Sequence, residues 1–140
     1  MNQIVTSVCH DLFLLPASEC RRFARMGAEA IMSINSHELI KMGIPGTIKV
    51  SEELTGGNWK KTITFDVRDE GRETLALLDR LRNLPLMAFY TNSSHFSRVS
   101  GCPAFPLSLS FKPGEGVYSV TLSGIDFDAD GFPSEEFRPL

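Results

Sequence analysis

Apolar and polar residues alternate most cleanly in Trp59-Lys60-Lys61-Thr62-Ile63-Thr64-Phe65-Asp66-Val67, where Trp59, Ile63, Phe65 and Val67 share one parity and Lys60, Thr62, Thr64 and Asp66 the other. That period predicts a half-buried strand. Leu107, Leu109 and Phe111, then Tyr118, Val120 and Leu122, repeat it on either side of Lys112-Pro113-Gly114-Glu115-Gly116. The pair reads as an antiparallel hairpin. Ile44-Pro45-Gly46 is a turn signal after which Thr47-Ile48-Lys49-Val50 starts another strand, and Thr55-Gly56-Gly57-Asn58 returns it towards Trp59, so these two strands should pair.

Between the two hairpins the period changes. Leu77, Leu78, Leu81 and Leu84 form one face of a helix running from Glu73 to Leu84, with Asp69 ahead of it as a cap and Pro85 as its stop. Leu86 to Tyr90 is a nearly continuous apolar run, suited to a strand buried on both faces. Asn92-Ser93-Ser94 then supplies a polar reversal, and Phe96 to Gly101 returns beside that strand.

At the amino-terminal side, Val8, Leu12, Phe13, Leu14 and Leu15 predict a first strand from Val5 to Leu15, ended by Pro16. Cys20, Phe23, Ala24, Gly27, Ala28 and Ile31 then recur at helical spacing, and Ser18 can cap a helix from Glu19 to Ser33. Gly27 in its middle costs about 1 kcal/mol relative to alanine, which leaves a kink or a strand pair open. No repeat, low-complexity tract or linker divides residues 1–140, so the chain reads as one domain. The fold class that follows is α+β: mainly an antiparallel β sheet, curled into a sandwich or partial barrel, with one or two helices.

Composition narrows the functional classes. With 42% hydrophobic and 22% charged residues over 140 positions, the chain can bury a core without disulfides or a structural metal. No apolar run approaches the roughly 20 residues that span a bilayer, and Met1-Asn2-Gln3-Ile4-Val5 has no features of a secretory signal, so a cytoplasmic location and no membrane partner are expected. A net charge of -3 offers phosphate no long-range attraction, and the one dense basic cluster is Arg21, Arg22 and Arg25, better read as a solvated face than as an acidic-partner site. Nucleic-acid binding is not expected. Cys9, Cys20 and Cys102 are odd in number and lack Cys-x-x-Cys spacing, which predicts reduced, packed thiols.

The sharpest local motif is Asp126-Phe127-Asp128-Ala129-Asp130-Gly131, since alternate aspartates on a tight loop can converge hard oxygen ligands on calcium. Ser134 falls at the ninth position of that pattern, but Pro133 holds the eighth and Phe137 the twelfth, where a bidentate glutamate belongs; Glu135 and Glu136 come too early. A solvated acidic loop is the plainer reading, with metal ligation by Asp126, Asp128 and Asp130 as its alternative. Cys9-His10-Asp11 sets a thiol, an imidazole and a carboxylate in sequence, but strand neighbours point to opposite faces and cannot form a nucleophile–base pair. His37 and His95 fall in loops and read as surface histidines. No phosphate-cradling glycine motif occurs, Gly56-Gly57 being a hairpin turn, and the parity of Trp59 favours core packing over an exposed contact role.

The order of elements resembles that of small structural proteins encoded in tailed-phage and prophage gene clusters of gut bacteria. The resemblance rests on Gly57 to Phe65, the helix Thr74 to Leu84, Leu86 to Tyr90 with its polar turn, Arg98-Val99-Ser100-Gly101-Cys102-Pro103 leading to Pro106-Leu107, and Tyr118 to Gly124. It covers about the second two-thirds of the chain and does not extend to Ala17 to Met42; the turn glycine usual in such proteins is missing at Asn92-Ser93-Ser94. It implies a non-enzymatic tail or virion component, bound to other virion or tail proteins or in a homo-oligomeric ring, with no cofactor and no catalytic residues. Two other classes compete with that expectation: a small ligand-binding barrel or enzyme whose site is assembled from distant residues, and a calcium-dependent interaction module.

Overall fold

The computed structural model describes residues 3–92 and 97–133, with side chains for residues 11–91 and 97–133. In chain order its elements are β1 (Gln3–Pro16), β2 (Cys20–Met26), β3 (Glu29–Ile34), β4 (Ile40–Lys41), β5 (Ile48–Thr55), β6 (Asn58–Arg68), α1 (Arg72–Arg82), β7 (Leu86–Asn92), β8 (Ser97–Ser100), β9 (Ser108–Pro113), β10 (Val117–Asp126) and β11 (Phe132–Pro133). The α+β class expected from the periodicities is the observed one: antiparallel sheets dominate, and α1 is the only α-helix among the described residues.

The main sheet runs β8-β7-β1-β5-β6-β10-β9, with β4 paired to β1 beyond β5. It curls until its ends meet. Leu86 at the start of β7 exchanges both backbone hydrogen bonds with Leu107, just before β9, at 2.8 and 3.0 Å. Gly124 permits this closure, because a Cβ there would come within 2.9 Å of Leu107 Cδ2 and 3.0 Å of the Pro106 carbonyl. The result is a small barrel.

Its interior follows from strand parity. Ile63, Phe65 and Val67 of β6, Ile48 and Val50 of β5, and Tyr118, Val120 and Leu122 of β10 are buried together with Leu12, Leu14, Leu86 and Ala88. Leu78 and Leu81 of α1 enter the same core, with Leu77 and Leu84 packed at its margin. The helix thus buries the predicted leucine face. Its cap differs in detail: the Asp69 carboxylate accepts the Gly71 amide at 3.0 Å, one residue before the helix, and Thr74 Oγ1 accepts the Glu70 amide at 3.1 Å.

Leu12 to Leu15 of β1 and Leu86 to Tyr90 of β7 are buried on both faces, which is why these stretches read as continuous apolar runs. Leu12 and Leu14 face the barrel, while Phe13 and Leu15 face a second core with Met87, Phe89, Val99, Ala30 and Met32. A bulge at Asp11, whose φ is 43°, sets that phase by shifting the β1–β7 register between His10 and Leu12.

What covers the second core corrects the helix expected over Glu19 to Ser33. That stretch is the hairpin β2–β3, preceded by a 3-10 turn over Ala17–Glu19 that leaves Ser18 with no helix to cap. Two features made it read as helical. A register shift between Cys20 and Arg22 breaks the period-two pattern of β2, and the small residues at the Gly27-Ala28 turn extend the 3.6-residue spacing. Gly27, with φ 63°, is the turn residue that an L side chain would strain. Trp59 also departs from expectation: it is half-buried at the start of β6 and takes no place among the buried residues of either core. The Ser93-Ser94 turn and Phe96 lie outside the described residues.

Candidate functional site: a buried polar cluster at one end of the barrel

Three of the barrel strands carry a charged residue on their core-facing parity. Lys61 continues the Ile63-Phe65-Val67 row of β6, Glu52 continues Ile48 and Val50 of β5, and Asp126 ends the Tyr118-Val120-Leu122 row of β10. Antiparallel pairing sets Glu52 directly opposite Lys61, and Asp126 opposite Trp59, two residues from Lys61. All three are buried: Lys61 is 2%, Glu52 5% and Asp126 8% exposed.

The loop after β10 brings the fourth member inward. Asp130 is 3% exposed, and its Oδ1 lies 3.1 Å from Lys61 Nζ, with Asp126 Oδ2 3.6 Å from the same nitrogen. Tyr90, on the interior face of β7, donates its hydroxyl to Asp130 Oδ2. The Asp130 amide donates to Glu52 Oε1, and Arg98 of β8 donates to the Asp130 carbonyl. Asp130 is therefore held through its amide, its carbonyl and both carboxylate oxygens.

The same loop is strapped down on its outer side. Arg25 of β2 donates to the Ala129 carbonyl at 2.8 Å, and Val99 and Gly131 exchange backbone bonds at 2.9 and 3.1 Å. β11 pairs in parallel with β3, and the Arg98 guanidinium lies 4.5 Å from the centre of the Phe132 ring. Gly131 packs against Arg25, where a Cβ would sit 2.7 Å from Nη1. The loop closes the end of the barrel away from α1.

Burial dominates the electrostatics. It pushes the Glu52 carboxyl up from 4.5 to about 7, with the nearby Asp130 charge as the second cause. It also raises the Tyr90 hydroxyl well above its ordinary range, again with Asp130 assisting, so Tyr90 remains a donor to that carboxylate. The thiols of Cys20 and Cys102 are raised by burial as well, which keeps them protonated and unreactive. Cys102 Sγ contacts Asp126 Oδ2 at 4.0 Å.

The acidic motif is thus not the solvated loop expected of it. Asp126 and Asp130 turn inward onto an ammonium, and of the three aspartates only Asp128 is exposed, its amide donating to Asp126 Oδ1 at 3.2 Å. Among the described residues no three His, Cys, Asp or Glu side chains are grouped to hold a metal ion. His37 is exposed, as expected, with its amide donating to Asn35 Oδ1. The side chains of Cys9 and His10, together with His95, Ser134, Glu135, Glu136 and Phe137, lie outside the described residues. Sequence reasoning passed over Lys61, Glu52 and Tyr90, although the first two stand on core parity, the signal that could have found them.

The open groove at the other end of the molecule, about 470 Å³, is lined by Met42, Ile44, Val67, Arg68 and Leu77 among others, and by no member of the cluster. No helix among the described residues is long and apolar enough to cross a membrane. Compared with protein-family models, curated proteins and solved structures, the chain matches none.

Proposed function

We infer that this chain is a non-enzymatic structural component of a larger particle, working through protein–protein contacts. One observation carries the reading: Lys61, Glu52, Asp126 and Asp130 are buried in the barrel, while among the described residues the hairpin β2–β3 offers an unpaired outer edge. β2 ends the three-stranded sheet β11-β3-β2, with Met26 on that strand 67% exposed and Ile31 on its neighbour β3 42% exposed. A free edge with apolar neighbours suits strand addition or burial against another subunit. By contrast, Lys61 and Asp130 are 2% and 3% exposed, which leaves them little surface to offer a substrate.

The resemblance of the central block to small tail proteins of phages and prophages supplies the kind of particle: a tail or virion, with other tail proteins or further copies of this chain as partners. Assembly would take place in the cytoplasm of the host cell. Co-expression with the products of adjacent genes, followed by light scattering and electron microscopy, tests this. The reading expects the chain to enter a ring or a mixed complex; particles that assemble and infect normally without the gene would overturn it.

A further inference from the structure

The Lys61–Asp130 contact presents an amine to a carboxyl group in a closed site. Nζ and Oδ1 are 3.1 Å apart, and the two side chains are 2% and 0% exposed. Lys61 is the one polar partner of Oδ1 among the described residues, so no other donor stands between the nitrogen and the carboxyl group. Oδ2 is held by the Tyr90 hydroxyl. Glu52 stands across the strand from Lys61 and accepts the amide of Asp130, which places a third carboxyl group beside both reactants.

We propose that Lys61 and Asp130 condense into an intramolecular isopeptide bond, formed by the folded chain itself with Glu52 carrying the proton between nitrogen and oxygen. Separated charge is costly in so dry a site, and transfer of one proton from Nζ to Oδ1 turns the pair into a neutral amine and a neutral acid. The Nζ lone pair then forms a bond to Cγ, and the electron pair of the Cγ–Oδ2 double bond moves onto Oδ2, where the Tyr90 hydroxyl is already placed to stabilise it. Glu52 takes a proton from the attacking nitrogen and delivers it to the Oδ1 hydroxyl. Oδ1 leaves as water and Oδ2 returns to a carbonyl. One C–N bond forms, one C–O bond breaks, and nothing is oxidised or reduced.

The chain supplies what the reaction lacks in free solution. Rigid strands hold the reactants together, which replaces a bimolecular encounter by a fixed contact. Exclusion of solvent protects the product from hydrolysis. A Glu52 carboxyl raised to about 7 by burial and by Asp130 can both accept and donate near neutrality. Asp126 is the poorer partner, since its nearest oxygen is 3.6 Å from Nζ. The bond would fasten β6 to the loop after β10 and seal the polar end covalently.

The test is the intact mass of the purified, folded full chain, followed by peptide mapping. The expected result is a mass below the sequence value by one water, with the Lys61 peptide joined to the Asp130 peptide. Lys61→Arg should restore the sequence mass, Glu52→Gln should leave most molecules unjoined, and Asp130→Asn should lose ammonia in place of water while forming the same link. Asp130-Gly131 could also lose water as a succinimide within a single peptide. That product is cleaved by hydroxylamine and persists in Lys61→Arg. A wild-type chain at its full sequence mass, or a loss of water confined to Asp130-Gly131, would overturn the proposal.

Discussion

The two ends of the barrel are built from the same strands on the same parity and are closed in opposite ways. At one end Phe65, Val67, Val120 and Tyr118 meet Leu78 and Leu81, and an amphipathic helix completes the apolar packing. At the other, six residues back along β6, Lys61 meets Glu52, Asp126 and Asp130, and the chain closes that end with its own loop. Apolar packing tolerates any side chain of suitable volume; a buried polar cluster tolerates only a complete set of partners. The apolar end supplies stability, and the polar end determines where the carboxy-terminal loop must lie.

The largest expected effect separates the ends most sharply. Lys61→Met should cost at least about 3–5 kcal/mol, because it leaves the buried Asp126 and Asp130 carboxylates without a cation and without a link to β6. Denaturant melts measure it, and a loss below about 1 kcal/mol would show that the cluster is open to water. Next, Ile63→Asp should cost at least about 3 kcal/mol while Thr64→Asp costs under about 1, since Ile63 is fully buried and its neighbour lies on the outer face. Equal losses would place the β6 register in error.

A pH series sharpens the comparison further. In protein not joined at Lys61 and Asp130, the folded-state pKa of Glu52 lies above its unfolded value, at about 7 against 4.5. The folded state therefore holds this proton more tightly, and the associated stability is fully present below pH 4.5 and is lost as the pH rises through about 7. The loss should approach about 3 kcal/mol. Urea melts across that window should show it, and Glu52→Gln should flatten the slope. A slope of zero in unjoined protein would contradict the burial of Glu52. The smallest effect is expected from calcium: with Asp126 and Asp130 facing an ammonium, calorimetric titration should give no dissociation constant below about 100 μM.

The comparison also explains what could be read from the chain. Strands with one solvent-facing side, such as β5, β6, β9 and β10, print their burial as a clear period, and α1 does the same through its leucines. β2–β3 did not, because a bulge and a small-residue turn erased the alternation, and its burial depends on a second core contributed by β1, β7 and β8. Lys61 and Glu52 were legible as misplaced charges on core rows. Tyr90 and Asp130 were not, since nothing in their local sequence says that β7 and the loop after β10 meet at Lys61.

Adjacent lysines give the most direct test of the sealed polar end. Lys60 is exposed and Lys61 is 2% exposed, one on each face of β6. Brief treatment of the folded protein with an amine-acylating reagent, followed by peptide mass analysis, compares them within one molecule. Lys60 should be modified and Lys61 untouched. Modification of Lys61 in the folded chain at a rate close to that of Lys60 would contradict this.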